Sequence, residues 1–459
     1  MIFLMILSFL IPILIGFFLI SILMPREESI AHFWMRVCLG IGIGFGIVSC
    51  IFFVWLALFD PANKGFIFVE IIVFVCLAVM YFGIRKKRTN FKSLTRLMEI
   101  KNRDRVLAVV FLLCLLVGII IFILLTLSNP HGSWDAWAIW NMRARFIFRG
   151  GGLWKDTFSP LIGWSHPDYP LFLPGAIARS WDWVGIETPA VPAIIAGIFS
   201  LATVGLVMTG ITLLRSKTTG LLAGIVLLGT PLFIRQGASQ YADVPLSFFI
   251  LATFVLFFLQ ERRVKRNLLL VLAGIMAGFC CWIKNEGLLF LISINISFWL
   301  ILSLTKGPRI YLKRLWPFIL GILPILIILS YFKTRIAPSI SEVLLQDSQL
   351  IWIKILDFSR YFKVLKAFGR QIFEFGGGFL GIVPLLALYS LLVGIKIDKK
   401  DRNMIAVSLV TLSLILVGLF GVYITTPYDL TWHLSTSLER LLLQLWPSFL
   451  FVYFMMISP

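Results

Sequence analysis

Residues 106–127 read VLAVVFLLCLLVGIIIFILLTL, twenty-two positions without one charged side chain. Wound as an α-helix, this run extends about 33 Å, enough to cross a hydrocarbon layer of about 30 Å. It has no polar face to offer water, so it does not belong on the surface of a soluble domain. Twelve further runs of this kind lie near 2–24, 34–59, 65–84, 190–214, 218–234, 244–260, 267–283, 288–305, 315–332, 379–395, 403–425 and 441–458. Of 459 residues, 59% are hydrophobic and 14% charged. A water-soluble surface needs about a quarter charged, which excludes a soluble enzyme, a disordered chain and a coiled coil. The expected fold is an all-α polytopic membrane protein of about 13 transmembrane helices. The first run stands where a signal peptide would, but it is too long and no small-residue cleavage site follows, so it counts as a span.

The loops between these runs alternate in character. One set is short and basic: Arg85 to Arg105, Arg215 and Lys217, Arg262 to Arg266, Lys306 to Arg314, and Lys396 to Arg402. The other set, 128–189, 235–243, 284–287, 333–378 and 426–440, is aromatic and mixes acids with bases. Positive loops stay in the cytoplasm, which puts the second set outside, the N-terminus outside and the C-terminus in the cytoplasm of a cell-membrane protein. Sorted this way, the net charge of +19 loses its nucleic-acid implication. Cytoplasmic segments, with Arg26 and Arg36 included, hold 25 Lys and Arg against 7 Asp and Glu; outer segments hold 16 against 14, and Glu70 lies within a span. All six cysteines (Cys38, Cys50, Cys76, Cys114, Cys280 and Cys281) fall within or at the edge of spans, which suggests no disulfide framework. No phosphate-cradling glycine motif is present, so ATP-driven transport is not expected.

Ionisable residues beside apolar runs are functional candidates, and they gather in the outer set. The loop at 128–175 reads SNPHGSWDAWAIWNMRARFIFRGGGLWKDTFSPLIGWSHPDYPLFLPG. The spacing of Trp134, Trp137 and Trp140 predicts an interfacial helix from Trp134 to Arg149 with the three rings along one side, as membrane anchors. Asp135 at its start either caps the helix or acts as a base; position alone supports both. Arg143, Arg145 and Arg149 suit lipid headgroups or a phosphate equally. In HPDYP, the prolines stiffen an extended segment that presents His166, Asp168 and Tyr169. Further outer turns add Arg235 and Asp243 (QYADVPL), Lys284 and Glu286 (WIKNEGLLF), and His433, Glu439 and Arg440 before the last span. Lys284 and Glu286 fit an interfacial ion pair and site residues equally. Glu439 and Arg440, adjacent on a helix, do not face each other, which leaves Arg440 for another partner. Three outer histidines lack metal-ligand spacing, so no cofactor is required and a divalent metal is not indicated. The 333–378 loop, basic and aromatic, predicts one or two surface helices.

A carboxylate beside several cations at the membrane edge suits transfer of a sugar from a polyprenyl phosphate: a base for the acceptor hydroxyl, cations for the departing phosphate. The order of motifs (an Asp-bearing outer loop with YPLFLPG, then YADVPLSFF at 241–249, then KNEGLLF at 284–290) resembles membrane glycosyltransferases of the GT-C type, near the protein O-mannosyltransferases and aminoarabinose transferases. The resemblance covers roughly 106–335, with a weaker echo at 426–447. It implies Asp135 as catalytic base, Asp168 and Asp243 as further acidic positions, and Lys284 and Arg440 near the donor phosphate. Ala136 stands where many relatives carry a second carboxylate.

The expected organisation is three extra N-terminal spans with a basic loop (1–105), a GT-C-like catalytic module (106–335) and a variable C-terminal module (336–459). The expected activity is inverting glycosyl transfer to a lipid, glycan or protein hydroxyl. Asp135 is the base; Lys284, Arg440, Arg143 and Arg235 hold the phosphate; Asp168, His166, Asp243, Tyr169, Glu286 and His433 position substrates. The alternatives are a lipid-linked glycan transporter or flippase, and a glycan polymerase or ligase with a diphosphate-linked donor. A transporter should show internal repeats and polar breaks at the bilayer midplane.

Overall fold

The computed structural model describes residues 1–24, 29–59, 64–85, 102–262, 267–338, 348–377 and 381–458. The basic segments 86–101 and 263–266, and residues 339–347 of the 333–378 loop, lie outside the described residues. Described in chain order, the helices are α1 Ile2–Leu23, α2 Ile30–Leu58, α3 Phe66–Arg85, α4 Asn102–Ser128, α5 Asn141–Arg149, α6 Phe172–Val184, α7 Ala190–Leu214, α8 Lys217–Leu228 and α9 Pro231–Ala238. They continue as α10 Asp243–Arg262, α11 Leu268–Ile283, α12 Glu286–Lys306, α13 Pro308–Arg335, α14 Ser348–Leu356, α15 Phe358–Glu374, α16 Ile382–Val393, α17 Arg402–Thr425 and α18 Leu430–Met456. No named strand occurs among the described residues. Nine of these helices are long and apolar enough to cross a membrane. The chain is an all-helical polytopic membrane protein.

Each of the thirteen apolar runs falls on helix, with four departures from one uniform span per run. The run at 267–283 yields the 16-residue α11, about 24 Å of helix. The run at 218–234 is two helices, α8 and α9, bent by 63°. Pro231 opens α9 and lacks the N–H that would continue α8 across Gly229–Thr230, so the break is built into the sequence. The run at 379–395 yields only the 12-residue α16, about 18 Å of helix, short of a full crossing. The last run is the rear part of the 27-residue α18, which begins at Leu430. Most of the 426–440 segment is therefore helix, and Arg440 sits on a helix flank.

α10 is the hub, with every residue from Asp243 to Gln260 buried. Around it pack α7, α11 and α18, with α2 against α7 and α13 against α11. In α1 and α2 the contact is backbone to backbone: a Cβ on Gly16 would overlap the Gly40 carbonyl, and one on Gly44 the Pro12 carbonyl. Small residues permit this close approach, which gains dispersion contacts that lipid cannot supply.

The two ends of the bundle carry separate charge clusters. At the Arg262 end of α10, Arg262 binds Asp401 at 2.6 Å, Arg215 reaches Asp398 at 3.7 Å, and Lys306 and Arg314 both bind Glu261. The Asp243 end gathers the 128–189 loop, the α11–α12 turn and the start of α18.

The N-terminal helices position that second end. Glu70 of α3 and Arg179 of α6 form a two-pronged ion pair, 2.6 and 2.5 Å, with both side chains at 0% exposure. The Arg179 guanidinium also donates to Ser8 O of α1 at 2.5 Å, and Trp183 Nε1 donates to Glu70 at 3.0 Å. On α2, Ser49 Oγ donates to the carbonyls of Leu171 and Phe172 and accepts from Trp282 Nε1 at 3.1 Å. One hydroxyl thus joins the start of α6 to the end of α11.

Removing one partner of a buried ion pair leaves an uncompensated charge and costs about 3–5 kcal/mol. Glu70→Gln is expected to lower unfolding stability in detergent by about that amount. The double variant Glu70→Leu/Arg179→Leu should recover most of it. Equal stability of Glu70→Gln and wild type, measured by thermal unfolding, would refute this role.

Candidate active site

Asp135 immediately precedes a π-helical turn, Ala136–Trp140, and its side chain makes no cap hydrogen bond. The carboxylate instead accepts from Arg440 Nη2 of α18 at 2.5 Å. Behind it, Arg440 Nε lies 3.5 Å from Asp243 Oδ2, and the guanidinium packs 4.6 Å from the Tyr241 ring centre. Asp243 Oδ1 accepts from Lys284 Nζ at 3.2 Å and from Gln444 Nε2 at 2.6 Å. Lys284 also binds Glu286 at 2.8 Å. The result is a chain of alternating charge: Asp135, Arg440, Asp243, Lys284, Glu286. Asp243 and Lys284 are sealed, while the Asp135 and Arg440 side chains keep 16% and 20% exposure. Glu286, at the far end, keeps 19%, but its partner Lys284 is sealed, so only at the Asp135–Arg440 contact do an accessible carboxylate and an accessible cation stand side by side. Burial by itself would discharge Lys284, but Asp243 and Glu286 outweigh it and raise its pKa, so the ammonium stays charged.

A second cluster adjoins the first. Asp168 accepts from Asn285 Nδ2 at 2.5 Å; Lys333 Nζ donates to Asp168 O at 2.6 Å and to Asn285 Oδ1 at 2.9 Å. Pro167 follows His166 in a tight turn closed by the Tyr169 N–H to His166 O bond at 2.9 Å. His166 is left-handed there, at φ 51°, a conformation a non-glycine residue holds only where its surroundings enforce it. Its ring stacks on Tyr169 at 4.9 Å, and Tyr169 stacks on Trp140 at 5.6 Å. Lys284 Nζ lies 5.7 Å from the Tyr169 ring centre, which links the two clusters.

The loop bearing Asp135 is fastened to the segment before Asp243. Gln240, at φ 60°, donates to Pro130 O at 2.9 Å and accepts from Asn141 Nδ2 at 2.9 Å. Ser133 N–H donates to Ser239 O at 3.2 Å. These bonds set the height of Asp135 against Arg440.

Of the residues expected to form the site, Asp135, Asp243, Lys284, Glu286 and Arg440 meet in one chain, with Asp168, His166 and Tyr169 beside them. Arg143 does not face this opening. It is fully buried, donates to the carbonyls of Ser165, His166 and Tyr169 at 3.0, 2.8 and 3.1 Å, and fixes the HPDYP turn. Burial lowers its pKa to about 10 against the pull of Asp168. Arg235 is exposed, against Gly377, whose φ of 71° and lack of a Cβ leave room for its guanidinium. His433 bonds Thr426 at 2.8 Å and packs 4.9 Å from Tyr423. Arg145 and Arg149 both bind Glu187. Among the described residues, no group of three or more His, Cys, Asp or Glu is placed to hold a metal.

Sequence reading overlooked Gln444, Tyr241 and Lys333. Gln444 had a signal, a lone amide inside an apolar run. Lys333 and Tyr241 had none, since each lies at the edge of a span where cations and tyrosines are common.

Residues 187–332 match the family model of dolichyl-phosphate-mannose-protein mannosyltransferases. The match includes Asp243, Lys284 and Glu286 and supports a membrane glycosyltransferase of the GT-C kind. No curated protein and no solved structure matches the chain.

Burial holds His166 below its ordinary pKa, with the pull of Asp168 too weak to restore it. Between that lowered value and about 6.5 the unfolded chain binds more protons, so stability is present above about 6.5 and is lost as pH falls through the native pKa. Wild type should lose melting temperature relative to His166→Gln as the buffer is taken from about pH 7 to about pH 5.5. Parallel melting curves for the two proteins would show that His166 does not titrate this way.

Proposed function

We propose that this chain is an integral membrane glycosyltransferase that moves a sugar from a polyprenyl-phosphate donor to a hydroxyl of an acceptor lipid, glycan or protein. The observation that carries the reading is the Asp135–Arg440 contact. It sets an accessible carboxylate and an accessible cation side by side at one end of a charge chain whose middle is buried and whose other end lies in the family-matched segment. The basic loops favour a cytoplasmic location for the other end of the bundle, which puts the site on the extracytoplasmic face with the N-terminus outside.

In this reading the donor phosphate and Asp135 compete for Arg440. A guanidinium fork binds phosphate oxygens as well as carboxylate, so donor arrival releases Asp135 to act as base. The acceptor O–H gives its proton to Asp135 as the oxygen bonds to the sugar C1. The C1–O bond to phosphate breaks, its electron pair leaves with the phosphate, and Arg440 balances the added charge. A single displacement of this kind inverts the anomeric centre. Asp243, locked by Lys284 and Gln444, holds Arg440 in place from behind. Asp168, held by Asn285 and Lys333, with His166 and Tyr169 beside it, positions sugar or acceptor.

General base catalysis contributes about 10²–10⁴-fold. Asp135→Asn in purified protein should cut transfer from a labelled polyprenyl-phosphate sugar by that factor while donor binding persists. Arg440→Gln should weaken donor binding itself. Absence of transfer from every monophosphate donor tested with wild type would sink the activity; a wild-type rate in Asp135→Asn would sink only the base.

A further inference from the structure

Segment 348–377 carries five Lys and Arg against two Asp and Glu, and its second helix sorts them by face. Asp357 starts α15 by accepting from the Ser359 N–H at 2.9 Å. One strip packs on the bundle: Val364 is buried, and Tyr361 and Phe368 lie 6.1 and 6.0 Å from the Phe420 ring of α17. The next strip, Phe358, Phe362, Leu365 and Phe373, is apolar and at least 61% exposed at every position. The third strip, Lys363, Lys366 and Arg370, lies three and four residues apart on a shared exposed face.

The other cations of the segment are committed. Lys354 donates to Thr426 O at 2.8 Å, Arg360 to Ile424 O at 2.9 Å and Tyr423 O at 3.2 Å, and Arg370 binds Glu374 at 2.6 Å. Among the described residues, no carboxylate lies within ion-pair distance of Lys363 or Lys366. These bonds also fix the height of α15. It is pinned to the last turn of α17, level with the end of the bundle that holds Asp135.

We propose that α15 is a docking surface for anionic phospholipid. Its exposed phenylalanine and leucine strip enters the acyl boundary, while Lys363 and Lys366 bind the lipid phosphate. An exposed apolar strip beside a cationic one is what a helix lying in the headgroup layer requires, and lysines without an ion-pair partner among the described residues select a headgroup with net negative charge. A zwitterionic headgroup fills the apolar contact equally well but leaves both lysines without net counter-charge. This assignment does not rest on the transfer reaction.

The test uses purified full-length protein in nanodiscs containing photoactivatable phosphatidylglycerol or phosphatidylcholine, with crosslinked peptides mapped. Phosphatidylglycerol should label 358–374 at least about tenfold more than phosphatidylcholine. Each surface lysine near a headgroup contributes about a fivefold preference, so Lys363→Glu/Lys366→Glu should reduce that labelling at least about tenfold. Labelling at Lys396–Arg402, on the opposite end, should stay unchanged and report that the variant is folded. Equal labelling of 358–374 by the two lipids would overturn the proposal, as would undiminished labelling in the double variant. Displacement of the label by millimolar inorganic phosphate would also overturn it, because the site would then take the free anion.

Discussion

Arg440 is claimed by two carboxylates from different parts of the chain, and the site depends on that sharing. Asp135 lies 305 residues away in sequence, on a loop after α4, and Asp243 opens the buried hub α10. Without a cation between them, two acids would face each other in a low-dielectric setting, where unpaired or like charges are costly. Arg440 removes that cost and leaves one side of Asp135 open. Gln444, one helical turn farther along α18, completes the hold on Asp243. The last helix therefore closes a constellation whose other members come from the first two thirds of the chain.

Precision at such a site comes from what lies behind it. The N-terminal helices contribute no residue to the charge chain, yet they are fastened to both segments that bear Asp168 and Lys284. Ser49 binds the backbone just after the HPDYP turn and the indole just before Lys284. Glu70 and Arg179 anchor α6 against α1 and α3. Arg143 does the same from the loop side by gathering three carbonyls of the turn. These buried charges are structural, and they differ from Asp135 and Arg440 in having no exposed edge.

The two bundle ends show why net charge is a poor guide to function in a membrane protein. The Arg262 end holds most of the excess positive charge, and its described ion pairs tie neighbouring helices together. The Asp243 end is nearly balanced, and there the pairs are long-range and partly open. Beside it, α15 carries a local positive surplus together with an exposed apolar strip, an arrangement suited to the membrane surface.

Sequence alone determined the all-helical membrane architecture, because a run of twenty apolar residues is a local property and bilayer thickness is a fixed length. It also marked Asp135, Asp243, Lys284 and Arg440, since charges beside spans stand out against so apolar a chain. It placed the helix over Trp134–Arg149 correctly but misjudged its faces. A π-helical turn rotates Trp140 inward onto Tyr169, while Trp134 and Trp137 stay exposed, so the rings do not share one side. It could not tell Arg143, spent on carbonyls, from Arg440, spent on carboxylates, because both read as arginines in outer segments. Which cation meets which acid is decided by contacts between residues hundreds of positions apart. Helical periodicity carries no information over that range, so only the packed helices could assign the pairs.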